Sequence, residues 1–264
     1  MRIDHKDSYK DFGEQFLIDS NVDDYWGSVK MLKDIVKPFC LSAIKNKVIM
    51  EVGVGSGRII RNLITFNPKE IFAVEPSKAI KIAKKNNKNN SLKIKYLNIK
   101  AEDLKFDNKV DFVFSLGVIH HIPEYELACK KIFNSIKKGG KFIIWVYGYE
   151  GNELYIILFN NLRRITRIIP DSFLRMLCTF LNYCCSAYIF LCKFMNLPMK
   201  AYMIKVFNKC SFEKRNYIIF DQLNPSYSKY FKKEELQTLL KNVGFKKLII
   251  KHRHGYSWLA IAEK

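Results

Sequence analysis

The sequence lacks a linker, because its 12 glycines and 7 prolines are scattered over 264 residues and no stretch is rich in Gly, Ser or Pro. Hydrophobic residues make up 48% of the chain and charged residues 27%, the composition of a folded globular protein rather than a disordered or collagen-like one. A chain of this length buries most of its unfolded surface and needs no disulfide or metal in order to fold. We therefore expect one folded unit.

Cysteine patterns typical of disulfide scaffolds and zinc sites are also missing. The seven cysteines are odd in number and include no C-x-x-C pair, and no Cys/His spacing suits zinc. The first residues, MRIDHKDSYKDFGEQF, hold no apolar stretch suited to a signal peptide. We therefore expect reduced thiols, no metal site and a cytoplasmic location.

Acidic residues are comparatively few, since 25 Asp and Glu face 45 Lys and Arg and leave a net charge of +20. Such an excess suggests nucleic acid or an anionic membrane surface as a partner. Lys far outnumbers Arg, however, and the densest basic run, residues 78–95, interleaves Lys with Asn. This mixture favours a solvated helix face over a phosphate-binding surface.

Five short apolar runs, separated by helical stretches, follow Lys47. They read KVIMEV, EIFAVE, KIKYLNI, VDFVFSL and KFIIWVY. Repeated βα units around a parallel sheet have this pattern. The sequence therefore predicts an N-terminal helical flank (1–46), an α/β core (47–148), a helical insertion (149–230), and a final helix with a β-hairpin that completes the core (231–264).

A glycine loop follows the first apolar run, in VIMEVGVGSGRII at residues 48–60. The strand ends near Glu51, glycines follow at 53, 55 and 57, and a helix begins after them. Glycine lets the backbone turn sharply and lets a ligand approach main-chain N–H groups at a helix N-terminus. A dinucleotide fingerprint would also require glycine at position 58, which is Arg58 here.

The second apolar run ends in a carboxylate, Glu75, about 20 residues after the glycine loop. A carboxylate at this strand end is placed to bridge the two hydroxyls of a ribose. The alternative is an exposed Glu that caps the helix starting near Ser77. The loop and the carboxylate together predict a nucleoside site.

The pattern E-x-G-x-G-x-G with a second-strand acid resembles motifs I and II of the class I S-adenosylmethionine-dependent methyltransferases. IKAEDLKF (99–106) is similar to the family's stretch after strand three, and KKGGKFIIWVYG (137–148) to its turn into strand five. DFVFSLGVIHHIPE (111–124) resembles the strand-four motif of the ubiquinone/menaquinone-biosynthesis-like branch. The resemblance implies an α/β, Rossmann-like, seven-stranded sheet with six strands parallel and the last antiparallel. Helices would cover both faces, and a helical cap would follow strand five.

The resemblance also implies S-adenosylmethionine as cofactor, with S-adenosylhomocysteine as product. The family's usual Asp after strand three is Lys100 here, so the Ala101 backbone and Glu102 are the groups expected to contact the edge of the adenine. The residues that the resemblance places at the cofactor are Glu51, Gly53, Gly55, Gly57, Glu75, Pro76, Ser77, Ala101, Glu102, Ser115, Leu116 and Gly117.

Two histidines near the end of strand four, His120 and His121, are the candidate catalytic bases. In-line methyl transfer needs an aligned acceptor and the exclusion of water. A hydroxyl acceptor must also lose a proton, for which the ordinary pKa of histidine is suited. Either histidine could instead serve only to pack or to hold the loop.

Candidate substrate-binding residues lie after strand five and before the last helix. Tyr147 and Tyr149 follow strand five, while Asp221 and Tyr227 belong to a segment that weakly resembles one in some bacterial methyltransferases. His252, Arg253 and His254, near the final hairpin, are expected to have a surface role.

The insertion contains an uncharged run, MLCTFLNYCCSAYIFLC, between Arg175 and Lys193. We interpret it as helices buried over the active site, since it is at the lower limit for crossing a bilayer. Arg163, Arg164, Arg167 and Arg175 suit either a solvated face or a helix lying on an anionic membrane.

The function expected from these features is methyl transfer to a small-molecule, glycan or lipid-linked acceptor, with O-methylation ahead of N- or C-methylation. The location would be cytoplasmic, with peripheral contact at the inner face of an anionic membrane as an option. An RNA methyltransferase is the alternative that the net charge favours. The lack of an N-P-P-Y-like turn after strand four and of any Pro-Cys disfavours it. A non-catalytic scaffold or membrane-surface module is a third reading, and the oligomeric state is left open.

Overall fold

One seven-stranded sheet organises the part of the chain that the computed structural model describes, residues 25–88, 92–166, 169–223 and 227–264. The strands are β1 Val48–Val52, β2 Glu70–Val74, β3 Lys93–Leu97, β4 Val110–Leu116, β5 Ile136–Tyr147, β6 Lys247–Arg253 and β7 Ser257–Glu263. Their order is β3-β2-β1-β4-β5-β7-β6, and β7 alone runs antiparallel to its neighbours. The predicted sheet, with six strands parallel and the last antiparallel, is confirmed.

Helices cover both faces of the sheet and form the insertion. They are α1 Val29–Val36, α2 Arg58–Ile64, α3 Ala79–Asn86, α4 Tyr125–Ser135, α5 Glu153–Thr166, α6 Asp171–Phe194, α7 Lys200–Lys205, α8 Phe212–Leu223 and α9 Lys233–Val243. Of the predicted N-terminal flank, residues 1–24 lie outside the described residues. The remainder contains α1, whose first turn is capped by the Ser28 hydroxyl accepting from the Met31 N–H.

The order of the strands creates a crevice. From β1 the chain builds outward through β2 to β3, and then returns to place β4 on the other side of β1. Helices that follow adjacent strands therefore depart to opposite faces at β1 and β4, and a ligand site is expected outside the carboxyl ends of these strands.

Two apolar layers sandwich the sheet. Successive residues of a strand point to opposite faces, so Val113 packs in the layer that contains α4 and α9, whereas Phe114 packs in the layer that contains α1 and α2. The central strands are buried on both sides, as parallel strands covered by helices must be.

The predicted C-terminal hairpin is present, and a tight turn joins its two strands. His254 and Gly255 both have positive φ, 49° and 74°, which is the backbone geometry that matches the twist of two antiparallel strands. Gly244, with φ 122°, follows the last residue of α9, and its N–H donates to the carbonyls of Leu240 and Lys241.

Arg253 differs from its expected surface role. Its side chain is buried and pairs with Asp34 of α1, and His254 Nε2 also lies 3.0 Å from the Asp34 carboxylate. Burial raises the pKa of Asp34, but the Arg253 charge and the His254 hydrogen bond outweigh it and hold that pKa below its ordinary value. The pair fastens the N-terminal helix to the hairpin. His252 remains exposed and stacks on Trp258.

The insertion is helical as predicted, but it is not buried as expected. α6, α7 and α8 share a small apolar core of their own, separate from the two sheet layers. The outer face of α6 is largely exposed, with Phe180 at 63% and Phe194 at 74% exposure. The expectation that these helices are buried over the active site is therefore wrong for this face. The side chains of Arg163 and Arg164, and all of Arg167, lie outside the described residues.

Candidate functional site

A cleft opens at the carboxyl ends of β1 and β4, where the strand order predicts a ligand site. It brings together most of the residues predicted from the sequence. These are Glu51, Gly53, Gly55, Glu75, Pro76, Ala101, Glu102, Leu116, Gly117, His121, Tyr147 and Asp221.

The glycine loop forms one wall of the cleft and is closely packed. Gly53 has φ +81°, and a Cβ atom added there would lie 2.2 Å from Cγ2 of Val118. Gly57 has φ +83°, and its added Cβ would lie 2.4 Å from Nδ2 of Asn87 on the far side of the loop. Gly57 does not line the cleft, so its predicted contact with the cofactor is replaced by a packing role between α2 and the end of α3.

Glu75 joins the glycine loop to the end of β2. One carboxylate oxygen accepts from the Gly55 N–H at 2.9 Å, and the other accepts from the Ser77 N–H at 3.0 Å. Each carboxylate oxygen has a second lone pair, so the group can also accept from two ribose hydroxyls. Asn98, which sequence reasoning missed, donates its amide to the carbonyls of Glu75 and Ser77 and fixes the same turn.

Ser77 serves α3 rather than the cleft. Its hydroxyl accepts from the Ala79 N–H at 3.2 Å, and the residue does not line the cleft. Ala101 and Glu102, which are predicted to border the adenine, line the cleft beside Lys100. Burial raises the pKa of Glu102 above its ordinary value, with the nearby Lys100 opposing the shift.

Glu51 is the most unusual group in the cleft. Its side chain is 2% exposed, and its Oε2 atom has no hydrogen-bond partner. Burial raises the pKa of Glu51 well above the ordinary value, the Arg58 charge opposes this and the Glu75 charge adds to it. A buried carboxyl in this state is stabilised by a ligand that supplies a cationic or hydrogen-bonding group.

The other end of the cleft is aromatic. His121 Nδ1–H donates to the carbonyl oxygen of Tyr227 at 2.9 Å, because a carbonyl can only accept. In the neutral ring, Nε2 is then the nitrogen that carries the basic lone pair. The Tyr147 hydroxyl accepts from Gln222 of α8 at 2.9 Å, and Gln222 accepts from the Tyr155 hydroxyl of α5 at 2.6 Å. The insertion is therefore tied to the cleft wall.

Tyr147 stays protonated under ordinary conditions. Its burial, together with Tyr230 and Asp221, raises the pKa of its hydroxyl above the usual value. Asp221 enters the cleft from α8, as predicted for a substrate-binding residue. Tyr147 and Asp221 are the two substrate candidates that line the cleft.

Two other substrate candidates are placed differently. Tyr149 does not line the cleft, since its N–H donates to Phe231 and the Lys232 ammonium lies 5.1 Å from the centre of its exposed ring. Tyr227 does not line the cleft either, and its main-chain carbonyl orients His121.

His120 does not reach the cleft. It is fully buried, its ring lies against Tyr147 with centroids 3.9 Å apart and ring planes tilted by 36°, and neither ring nitrogen has a hydrogen-bond partner. Burial, with a smaller effect from His121, lowers the pKa of His120 well below the ordinary value. A neutral ring packed behind Tyr147 is not placed to take a proton from an acceptor. Ser115, also predicted at the cofactor, is likewise fully buried and outside the cleft.

Several cleft residues were missed from the sequence. Trp145 lies two residues before Tyr147 on β5, so the two-residue period of a strand could have identified it. Met31 and Ile35 come from α1, and the apolar face of that helix does not reveal which part of the sheet it covers. Val118, Ile122 and Pro123 flank the predicted histidines on the same loop.

All seven cysteines are free thiols, as predicted. Among the residues that the structure describes, no group of three His, Cys, Asp or Glu side chains could hold a metal ion. The absence of a metal site stays a prediction.

A family model described as a methyltransferase domain matches residues 50–144. A tRNA U34 carboxymethyltransferase from Nautilia profundicola is 30% identical over 123 residues, which are 46% of this chain and 40% of the relative. Phosphoethanolamine N-methyltransferase 2 from Caenorhabditis elegans is 28% identical over 141 residues, or 52% of this chain and 30% of the relative. The chain thus spans less than half the length of these curated relatives.

Solved structures share the fold over almost the whole chain. An S-adenosylmethionine-dependent methyltransferase from Methanococcus maripaludis is 18% identical with a TM-score of 0.54, and the match covers 100% of this chain and 94% of that one. Another from Thermotoga maritima is 17% identical with a TM-score of 0.50, covering 96% and 99%. At this level of identity the likeness shows the fold alone.

Replacing Glu51 by Gln should stabilise the ligand-free protein at neutral and alkaline pH. Burial raises the folded-state pKa of Glu51, so the folded protein favours the protonated carboxyl. This contribution to stability is fully present below the ordinary pKa of 4.5, and it is lost as the pH rises through the folded-state pKa and the carboxyl ionises. Gln does not ionise, so we expect a gain of about 1–3 kcal/mol in the free energy of unfolding near pH ~8. Below pH 4.5 the gain should vanish. Urea unfolding of wild type and variant near pH ~8 and below pH 4.5 measures the gain and its disappearance.

The matched control is Glu234→Gln, which makes the same change at an exposed position on α9. Its free energy of unfolding should change by less than about 0.5 kcal/mol at either pH. A loss of stability in the Glu51 variant at alkaline pH would show that the Glu51 carboxylate has a stabilising partner in the folded protein.

Proposed function

We propose that this protein transfers a methyl group from S-adenosylmethionine to an acceptor, because residues 50–144 match a methyltransferase-domain model and the chain shares the fold of solved S-adenosylmethionine-dependent methyltransferases. The buried carboxyl of Glu51 beside the glycine loop, whose Oε2 atom has no hydrogen-bond partner, is the observation that supports this most directly. A methionine portion carries the ammonium group that such a carboxyl requires.

The residues present fit each portion of S-adenosylmethionine. Glu51 would hold the ammonium group, Glu75 would accept from the ribose hydroxyls, and Ala101 with Glu102 would border the adenine. When bound, the sulfonium supplies an electrophilic methyl group for in-line displacement. Leu116 and Gly117, at the end of β4, and the aromatic wall at Trp145 would exclude water around that methyl.

Calorimetric titration of two variants tests the cofactor assignment. Glu51→Gln should weaken S-adenosylmethionine binding, because the ammonium loses its charged partner, and Glu75→Ala should weaken it through the ribose. Each loss should be about 1–3 kcal/mol, the range for a hydrogen bond to a charged group. In wild type, affinity should rise with pH through the raised pKa of Glu51, since the ionised carboxyl binds the cation.

Methylthioadenosine separates the two roles, because it keeps the adenosine and lacks the amino-acid portion. Its affinity should fall in Glu75→Ala and stay unchanged in Glu51→Gln. Glu70→Ala, at the other end of β2, is the control that should bind both ligands normally. Absence of S-adenosylmethionine binding to wild type would instead favour the non-catalytic scaffold.

RNA is the first candidate acceptor. Several curated relatives are named tRNA U34 carboxymethyltransferases, and the net charge of +20 suits a polyanion. α3 carries exposed Lys81, Lys84 and Lys85 directly after the turn at Glu75. An RNA strand that reaches the cleft could follow this basic face.

A small-molecule, glycan or lipid-linked acceptor is the second candidate, and the cleft wall supports it. Tyr147 and Trp145 form an aromatic surface, and Asp221 adds one carboxylate from the insertion. A compact ligand is typically held by such apolar walls with a few convergent polar groups. If this acceptor carries a hydroxyl group, its oxygen would be the atom that receives the methyl group.

Transfer of a labelled methyl group to total tRNA, to a lipid extract and to a soluble metabolite fraction distinguishes these candidates. If RNA is the acceptor, the label should be sensitive to ribonuclease and RNA binding should weaken steeply with salt. Replacing Lys81, Lys84 and Lys85 together by Glu should then reduce the slope of log K against log salt concentration by the equivalent of about three phosphate contacts.

The control for this variant reverses three other exposed lysines, Lys241 on α9, Lys246 in the loop after it and Lys251 on the edge strand β6. It has the same net charge as the α3 variant and should retain RNA binding. Label that enters the lipid or metabolite fraction, with equal loss of RNA binding in both variants, would contradict the RNA assignment and support the second candidate.

His121 is the residue we propose as the base for a hydroxyl acceptor. With the acceptor identified above, His121→Gln should lower kcat by roughly a hundredfold or more, while S-adenosylmethionine affinity stays within a factor of about two. The adjacent His120→Phe is the matched control, because it replaces a buried ring of similar shape that does not reach the cleft. Equal losses of kcat in the two variants would remove His121 from the chemistry.

A further inference from the structure

The outer face of α6 carries an apolar stripe that the described part of the chain leaves uncovered. Its residues recur every three, four or seven positions, so they line one side of the helix over about 30 Å. Each is 58–74% exposed. The α6 stripe consists of Phe173, Met176, Phe180, Tyr183, Phe190 and Phe194.

The opposite face of α6 is fastened to the rest of the insertion. Leu174, Cys178, Ile189 and Cys192 are buried in the small core shared with α7 and α8. Asn182 Nδ2 donates to the carbonyl of Phe212 at 2.9 Å and to Oδ1 of Asn216 at 2.8 Å, both on α8. By length and composition α6 could cross a membrane, but crossing would break these contacts. A helix with one fastened face is suited to lie along a surface.

The charges around the stripe indicate the kind of surface. No charged residue occurs from 176 to 192, and the exposed residues that bracket this run, Arg175 and Lys193, are both cationic. The chain as a whole carries +20. Aromatic and aliphatic side chains flanked by cations are the pattern of helices that rest in the headgroup region of anionic membranes.

We propose that the α6 stripe docks on the surface of an anionic lipid bilayer, with α6 lying in the plane of the membrane. A second copy of the chain is the competing occupant. Helix pairs in water place charged residues beside their apolar seam, whereas Leu177, Cys184 and Leu191 beside this stripe are uncharged. The proposal does not rest on methyl transfer, and it holds or fails without a cofactor.

Flotation of the full chain with vesicles tests the proposal. Vesicles of equal parts phosphatidylglycerol and phosphatidylcholine should carry the protein upward, and vesicles of phosphatidylcholine alone should carry much less. Replacing Phe173, Phe180 and Phe190 together by Ser should lower the vesicle affinity by about a hundredfold, because three aromatic side chains lose their burial in the headgroup region.

The control replaces two other exposed apolar residues, Leu127 and Ile249, by Ser. Because both sets of side chains are exposed, both variants should keep the melting temperature of wild type, and the control should float like wild type. Lys193→Glu should lower binding to the anionic vesicles by roughly tenfold, as reversal of one interfacial charge does.

Three results would overturn the proposal. The triple Ser variant could float as well as wild type, or wild type could bind neutral and anionic vesicles equally. Wild type could also fail to float and sediment as a dimer that the triple Ser variant converts to a monomer, in which case a second copy covers the stripe.

Discussion

The Glu75 carboxylate is the interaction on which the cleft depends. Its two oxygens accept from the N–H groups of Gly55 and Ser77 and thereby fix the glycine loop against the end of β2. Buried main-chain donors need a partner, and a carboxylate is the strongest acceptor that the chain can provide there. One side chain therefore shapes the loop and still keeps lone pairs, which are the ones proposed to accept from a ribose. The group proposed to bind the ligand is thus also a structural one.

Two buried residues, Glu51 and His120, have side-chain polar atoms without hydrogen-bond partners, and the surroundings of the two differ. Glu51 faces the cleft, where a ligand can supply the missing charge or donor. His120 faces Tyr147 and Trp145, and its ring is packed among aromatic side chains. The buried Glu51 carboxyl lowers the stability of the folded protein when it ionises, whereas the neutral His120 ring packs behind Tyr147 in the cleft wall. The distinction comes from what lies opposite each group and not from the residue type.

Local patterns predicted the fold well because their physical causes are local. A strand buried on both faces needs a continuous apolar run, and a left-handed turn needs glycine, so β1, the loop at Gly53 and the final hairpin could be found from the sequence. The pairing of Asp34 with Arg253 joins positions 219 residues apart, and no local pattern records it. Adjacent His120 and His121 look equivalent in sequence, and only tertiary packing turns one into the cleft.

The exposure of α6 could not be predicted for a related reason. An uncharged run is compatible with burial inside a protein and with burial in a membrane, because both remove apolar surface from water. Sequence reasoning chose the protein interior, whereas the insertion is too small to cover both faces of its longest helix.

Part of the excess positive charge lies on two separate surfaces of the protein, the lysines of α3 and the cations that bracket the α6 stripe. The exposed lysines of α3 follow the turn at Glu75, and their attraction for a polyanion is mainly electrostatic and fades as salt screens it. Arg175 and Lys193 bracket the apolar α6 stripe. Attraction of these cations to an anionic bilayer would bring the stripe into contact with lipid, and the hydrophobic contribution of that contact persists in salt. A polyanion is the partner proposed for the first surface and a bilayer for the second. Because the two surfaces belong to different elements, one to the core and one to the insertion, the two proposed contacts are independent of each other.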